Sequence, residues 1–138
     1  MVFQETISIS TQGRSIIDIS ARVFDCVNRA GINLGLCNVF IQHTSASLIL
    51  SENADPDVRE DLETFMSKLA PDGDPMFRHI AEGSDDMPAH IRSILTDSSL
   101  NIPVSAGTCA LGTWQGIYLW EHRHQGHSRI VVVTIYGD

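Results

Sequence analysis

The longest strand-like stretch of the sequence is residues 111–123, LGTWQGIYLWEHR. Its aromatic residues Trp114, Tyr118 and Trp120 occupy even-numbered positions. A strand would place them on one face, because successive side chains point to opposite sides. The glycines at 112 and 116 predict a bulge or a close approach of another backbone. The stretch therefore predicts a sheet-based fold whose aromatic face packs in the core, with a subunit interface as the alternative.

The segments on either side repeat the β pattern and are interrupted by a few helices. Residues 34–42 and 129–136 are apolar enough for central strands, and residues 3–10 alternate apolar with polar side chains. Tight turns join most of these segments. We therefore predict an α+β fold: a single domain over residues 1–138, with a mostly antiparallel sheet or sandwich and two or three helices.

Helical signals are clearest after Asp55, where a capping aspartate precedes a proline in the first turn. This helix should extend to about Leu69. Its apolar side chains recur at helical spacing and predict a face packed on the core: Val58, Leu62, Phe65, Met66 and Leu69. Another helix is predicted over residues 88–96, and residues 124–127 are predicted as the hairpin loop between the last two strands.

Composition restricts the class of partner. The chain has 138 residues, of which 43% are hydrophobic and 19% charged, as in a globular domain. Its formal charge of −8 argues against nucleic acid or an anionic membrane, because both attract basic surfaces. A small phosphorylated metabolite remains possible, since it needs only a local group of hydrogen-bond donors.

The cysteines indicate a reducing compartment. Cys26, Cys37 and Cys109 are widely spaced and form no Cys-x-x-Cys pair, so we expect free thiols in a cytoplasmic protein. The first residues lack the basic and apolar pattern of a signal peptide. No apolar run approaches the roughly 20 residues that a membrane helix needs.

Residues 78–90, RHIAEGSDDMPAH, combine two histidines with three carboxylates. Glycine, serine and proline among them predict a shaped loop that runs into a helix. Pro88 suits the first turn of that helix, which makes Asp86 a candidate for the N-cap or a neighbouring position. For the aspartate pair alone, ordinary helix capping is the simpler interpretation, whereas the whole cluster favours a site.

The histidines predict a metal site. His43, His79 and His90 each stand at the end of a predicted element or on a loop. Three imidazoles with one open position are typical of catalytic zinc, although magnesium is possible with a pyrophosphate substrate. Asp85 and Asp86 could orient the imidazoles through their distal nitrogens or handle protons. His124 and His127 are assigned instead to a surface loop.

Other polar residues could contact a ligand. Small, hydroxyl-rich or glycine-containing segments predict a phosphate site at Thr44, Ser45, Ser47, Asn53, Gly112 and Thr113, although ordinary turn chemistry would explain them too. Glu121 and Arg123 are two residues apart on a predicted strand and so share a face. They could form an ion pair or reach a polar ligand.

Four segments, in order, resemble the YjbQ-like family. They are HTSAS at 43–47, ENADPDVR at 52–59, DDMPAH at 85–90 and LGTWQGIY at 111–118. The resemblance covers nearly the whole chain. The chain departs from the family pattern at Asp97, where a glycine is expected, and at residues 108–110, and both departures affect local turns only.

The resemblance implies a homotrimer of compact α+β subunits with a histidine-rich metal site near the subunit boundary. Members of the family are described as secondary thiamine-phosphate synthases, which implies weak joining of a pyrimidine pyrophosphate to a thiazole phosphate with release of pyrophosphate. The candidate catalytic residues are then Asp85, Asp86, Glu121 and Arg123. The alternatives are a metal-dependent hydrolase and a non-enzymatic trimer that binds a metal or a metabolite.

Overall fold

The computed structural model describes residues 1–138, which form two antiparallel sheets and three helices. The strands are β1 (Val2–Ser10), β2 (Ser15–Asp18), β3 (Leu34–Ile41), β4 (Ala46–Glu52), β5 (Ser99–Ser105), β6 (Thr108–Cys109), β7 (Gln115–Glu121) and β8 (Ser128–Gly137). The helices are α1 (Ser20–Ala30), α2 (Pro56–Leu69) and α3 (Asp86–Leu95). The predicted α+β class, with antiparallel sheets in one domain, is confirmed.

The two sheets differ in size. The larger has the strand order β1-β8-β3-β5-β6, and the smaller has the order β2-β7-β4. β8 is central in the larger sheet, since Val133 lies opposite Glu5 of β1 and Val39 of β3. This position explains why the last strand is so rich in apolar residues.

A single core of 20 buried residues draws on both sheets and on α1. Val39 and Val133 come from the larger sheet, Leu48 and Leu119 from the smaller, and Val23 from α1. Burial of this apolar surface is the main stabilising contribution to the fold. The three cysteines are free thiols, and Cys26 and Cys37 are buried. None of the helices has the length and apolar character that a bilayer crossing requires.

The aromatic strand is shorter than predicted. A turn precedes β7, in which the Gln115 N–H donates to the Gly112 carbonyl at 3.1 Å and the Gly112 N–H donates to the Gln115 side chain at 2.8 Å. Trp114 lies in this turn and is 63% exposed, whereas Tyr118 and Trp120 are buried. The prediction of a three-residue aromatic face is therefore wrong at Trp114.

The helix α2 begins as predicted, because the Asp55 side chain accepts the Asp57 N–H at 2.9 Å. Its apolar face does not pack as predicted. Only Met66 is buried, while Phe65 and Leu69 are 64% and 55% exposed. Glu63 of this helix accepts hydrogen bonds from Arg92 of α3 and Trp120 of β7. The exposed part of the apolar face has no partner within the chain.

The loop at residues 124–127 is not a hairpin. The strands on either side, β7 and β8, belong to different sheets, so this loop carries the chain from the smaller sheet to the larger. Alternating apolar residues predict each strand, but they do not specify which strand will be its neighbour. The loop is nevertheless important for the site, because it follows directly after Arg123.

Candidate metal centre

Three ligand-type side chains meet at the start of α3. Asp86 and His90 are one helical turn apart and therefore lie on the same face. The segment between α2 and α3 consists of turns and returns His79 to this face. The nitrogen and oxygen atoms of His79, Asp86 and His90 lie within 4.8 Å of one another, close enough to hold one cation.

Asp86 is the centre of the cluster. Its Oδ2 lies 2.7 Å from His79 Nε2 and 3.1 Å from His90 Nε2, and its Oδ1 lies 2.9 Å from the Arg123 guanidinium. Burial alone would raise the pKa of this carboxyl, but the hydrogen bond from His79 and the charges of His90 and Arg123 lower it below its ordinary value. Asp86 is therefore a carboxylate at neutral pH.

A backbone contact fixes the tautomer of His90. Its Nδ1 lies 2.9 Å from the carbonyl oxygen of Thr44, which can only accept, so Nδ1 carries a proton. In a neutral ring, Nε2 is then unprotonated and faces the Asp86 carboxylate. Two acceptors in this position need a proton or a metal ion between them.

The separations in the cluster suit a small cation. Tetrahedral Zn²⁺, with bonds of about 2.0–2.1 Å, holds neighbouring ligand atoms roughly 3.4 Å apart. The observed nitrogen–oxygen separations of 2.7 and 3.1 Å would need to widen toward this value, and the ligand nitrogens of the two histidines lie within 4.8 Å of each other. The imidazoles are 46% and 31% exposed, so a cation held here would remain open to a ligand from solvent.

Asp85 has a different role from its neighbour. It is the N-cap residue of α3, and it accepts hydrogen bonds from Arg123 Nε at 3.0 Å and from the His124 N–H at 2.9 Å. Burial alone would raise the pKa of its carboxyl, but these bonds and the charge of Arg123 lower the pKa to about 2. Asp85 contacts no histidine side chain, and Arg123 links it to Asp86.

His43 does not join the cluster. Its Nε2 accepts the Ile130 N–H at 2.8 Å, and its Nδ1 lies 3.3 Å from the Arg129 guanidinium. Burial, followed by the charge of Arg129, lowers the pKa of His43, so the ring is neutral and has one unprotonated nitrogen. That nitrogen is Nε2, and because it accepts the Ile130 N–H it is not free to bind a metal ion. Asp86 thus takes the place predicted for His43 beside the other two histidines.

Glu121 and Arg123 do not pair through their side chains, which corrects one of the two roles predicted for them. Glu121 is fully buried and accepts hydrogen bonds from Arg129 Nε at 2.8 Å and from the Thr11 hydroxyl at 2.6 Å. Burial alone would raise its pKa, but the bonds from Arg129 and Thr11 lower it. Arg123 lies beyond the end of β7 and turns toward the two aspartates.

The residues predicted to bind phosphate do not converge. Thr44 lines a cavity beside His90, but Ser45 accepts a hydrogen bond from Arg129 at 3.0 Å and Ser47 is buried. The remaining three, Asn53, Gly112 and Thr113, lie at the far end of β4, about 20 Å along the strand. There the Asn53 amide donates to the Thr113 carbonyl at 3.3 Å. One phosphate cannot contact both groups.

The sequence analysis did not identify His122 as a buried residue. His122 is fully buried, and its Nε2 lies 2.8 Å from the Ser47 hydroxyl. Burial, with the charges of Arg92, Arg14 and Arg129, lowers its pKa to about 3. Its even-numbered position, in phase with the aromatic residues 118 and 120, was the signal that could have identified it as a core residue.

Two cavities flank the cluster. The first, which we call the His90 cavity, has a volume of about 600 Å³ and is lined by His43, Thr44, His90, Ser93, Ile94, Thr96 and Ser98. The second, the His79 cavity, has a volume of about 400 Å³, and its lining includes Asp74, Pro75, Phe77, His79, Ile80, Ser84 and Met87. Each cavity therefore includes one of the two clustered histidines.

Comparison with known proteins identifies the family. A family model described as UPF0047 protein YjbQ-like matches residues 5–138. The chain is 50% identical over 135 residues to UPF0047 protein sll1880 of Synechocystis, covering 98% of this chain and 92% of that protein. It is 41% identical to UPF0047 protein YjbQ of Escherichia coli over the full length of both chains.

Solved structures agree with this assignment. A YjbQ/UPF0047 protein of Clostridium acetobutylicum superposes with a TM-score of 0.88 at 37% identity, covering 96% of this chain and 99% of that one. A YjbQ-like protein of unknown function from Sulfolobus solfataricus gives a TM-score of 0.91 at 25% identity, covering 100% and 99%. The chain therefore belongs to the UPF0047, YjbQ-like family.

Proposed function

We propose that the chain binds a divalent metal ion, zinc most readily, through His79, Asp86 and His90. The observation that carries this proposal is the His90 ring, whose Nδ1 is committed to the Thr44 carbonyl while its Nε2 faces the Asp86 carboxylate. Two imidazoles and one carboxylate form a recurrent ligand set of catalytic zinc. Magnesium prefers oxygen ligands and would enter more naturally with a pyrophosphate substrate.

The reaction that we propose is that of a secondary thiamine-phosphate synthase: a pyrimidine pyrophosphate is joined to a thiazole phosphate, and pyrophosphate is released. The resemblance of the four segments and membership of the family support this choice. A divalent cation at the cluster would stabilise the charge of the leaving pyrophosphate. Asp86 would hold the cation, the Thr44 carbonyl would fix the His90 ring, and Arg123 would fix the carboxylate.

A metal-dependent hydrolase is a weaker proposal. It needs a general base whose pKa lies near the working pH. Asp85 is bound to Arg123 and has a pKa of about 2, so it would accept a proton poorly at neutral pH. The Asp86 carboxylate would itself be a metal ligand.

The proposed metal site is tested by its metal content. Replacing His90 with alanine should remove most of the bound metal and lower synthase activity by more than about 100-fold, because the variant loses one of three protein ligands. His127→Ala is the control, since His127 is not part of the cluster. The measurement is elemental analysis after dialysis against a weak chelator, followed by assay of the zinc- and magnesium-loaded proteins for thiamine phosphate and pyrophosphate.

Equal metal content in wild type and His90→Ala, or metal lost only from His127→Ala, would contradict the site. Metal binding without product formation would instead favour the non-enzymatic alternative.

We also propose that the chain assembles as a homotrimer through the outer faces of α2 and α3. These helices leave apolar side chains between 54% and 82% exposed, namely Phe65, Leu69, Ile94 and Leu95. Light scattering should give about 46 kDa, three times the 15.2 kDa chain. Ile94→Glu should release monomers, because assembly would bury an unpaired charge. Leu34→Glu, at an apolar position on β3 that is 65% exposed, should leave the trimer intact, and a wild-type monomer would refute the assembly.

A further inference from the structure

We infer that the two cavities bind the two reactants separately, the uncharged heteroaromatic ring in the His79 cavity and a phosphate group in the His90 cavity. This inference rests on the proposed function. Its geometric basis is the division of the cluster: each histidine lines a different cavity, and the two ring centroids are 5.4 Å apart. Ligands that enter from the two sides would meet over Asp86.

The His79 cavity has the chemistry of a ring-binding site. Pro75, Phe77, Ile80 and Met87 contribute apolar surface, and Ile80 is 68% exposed with room to cover a ligand. Asp74 is its acidic residue, and its Oδ1 accepts the Met76 N–H at 2.9 Å. A carboxylate repels phosphate but retains acceptor positions for an exocyclic amine. An aminopyrimidine ring fits these requirements, whereas its pyrophosphate would extend toward the cluster.

The His90 cavity has the opposite character. Hydroxyl groups of Thr44, Ser93, Thr96 and Ser98 line it, and no carboxylate does. Ser93 and Thr96 donate to backbone carbonyls of the chain, which leaves the exposed hydroxyls of Thr44 and Ser98 as donors to a ligand. Neutral donors in a lining that contains no carboxylate suit the phosphate of the second reactant.

The placement of the two reactants in separate cavities agrees with the bonds that form and break in the proposed reaction. The unshared electron pair of the thiazole nitrogen forms a C–N bond to the methylene carbon of the pyrimidine. The C–O bond to pyrophosphate breaks, and its electron pair leaves with the pyrophosphate. No proton needs to move, so the absence of a free general base is consistent with the reaction. The two cavities have only to hold the reacting atoms in contact.

Two substitutions, each of which changes the polarity of one lining side chain, separate the subsites. Ile80→Thr adds a hydroxyl to the His79 cavity and should raise KM for the pyrimidine substrate about three- to tenfold, with KM for the thiazole phosphate unchanged. Thr44→Val removes a hydroxyl from the His90 cavity and should have the reverse effect. If each variant raised both KM values equally, the inference would be refuted.

Binding measured without turnover distinguishes this inference from the proposed reaction. In zinc-loaded wild type, inorganic phosphate should shift the backbone NMR signals of residues 43–44 and 93–98. The uncharged probe 4-aminopyrimidine should shift those of residues 73–87. Separate maps with no synthase activity would support the subsites and reject the reaction. Shifts of one region by both probes, or no shifts at all, would overturn the subsites.

Discussion

Asp86→Asn is expected to reduce metal affinity by more than about 100-fold, beyond the 10–100-fold typical of residues that only orient ligands. The carboxylate contacts both imidazoles and supplies the negative charge of the proposed site. An asparagine would keep the size of the side chain but not its charge. Competition with a chromophoric chelator measures the affinity directly.

The neighbouring residue provides a matched control. Asp85→Asn makes the same chemical change one position earlier, but Asp85 contacts Arg123 and the His124 backbone and no histidine side chain. Its metal affinity should remain within about tenfold of wild type, as expected for an indirect effect through Arg123. Equal losses in the two variants would show that the whole loop, and not the Asp86 carboxylate, determines affinity.

Misfolding must be separated from ligand loss, because Asp86 is buried and pairs with Arg123. Breaking that pair costs about 1–3 kcal/mol of unfolding free energy. His79→Ala removes an exposed partner of the same carboxylate and leaves the Arg123 pair intact. The His79→Ala variant should lose bound metal, while its melting temperature should change little. Retention of metal by both His79→Ala and Asp86→Asn would reject the proposed centre.

Those parts of the site that depend on local sequence could be predicted. Asp86 and His90 lie within one short segment, and Pro88 marks the helix that puts them on one face. The capping aspartate at Asp55 was equally predictable, since its hydrogen bond reaches only two residues ahead. In such segments, spacing along the chain determines spacing in the structure.

The contacts that were not predicted join distant parts of the chain. The two ring nitrogens of His43 contact Ile130 and Arg129, which lie more than 80 residues later in the chain. These contacts follow from the pairing of β3 with β8. Glu121 likewise pairs with Arg129 and not with Arg123, although β7 and β8 lie in different sheets. Alternation of apolar residues specifies neither strand order nor register between separate strands. Composition gave no indication of these partners.

The surroundings of His122 disfavour a charged ring. Its Nε2 lies 2.8 Å from the Ser47 hydroxyl, which also accepts a hydrogen bond from the Thr96 hydroxyl at 2.7 Å. The other ring nitrogen, Nδ1, is buried without a partner. A second proton on this ring would create a buried cation close to Arg92.

This arrangement makes stability depend on pH. The pKa of His122 is about 3 in the folded chain, whereas an unfolded histidine titrates near ~6.5. Between these values the unfolded chain binds more protons, so stability falls as the pH is lowered. Between about pH 7.5 and about pH 5, the free energy of unfolding should fall by about 2 kcal/mol through His122 alone. His43, whose pKa burial also lowers, acts in the same direction.

Urea unfolding at several pH values, with a chelator present so that metal release does not contribute, measures this dependence. His122→Gln keeps a side chain that can hydrogen-bond to Ser47 but cannot gain a proton. Its free energy of unfolding should therefore lose about 2 kcal/mol of the pH dependence and keep the part due to His43. His124→Gln, at a side chain that is 60% exposed, should behave as wild type. An unchanged slope in His122→Gln would mean that His122 accepts its second proton without cost, which its unpartnered, buried Nδ1 does not allow.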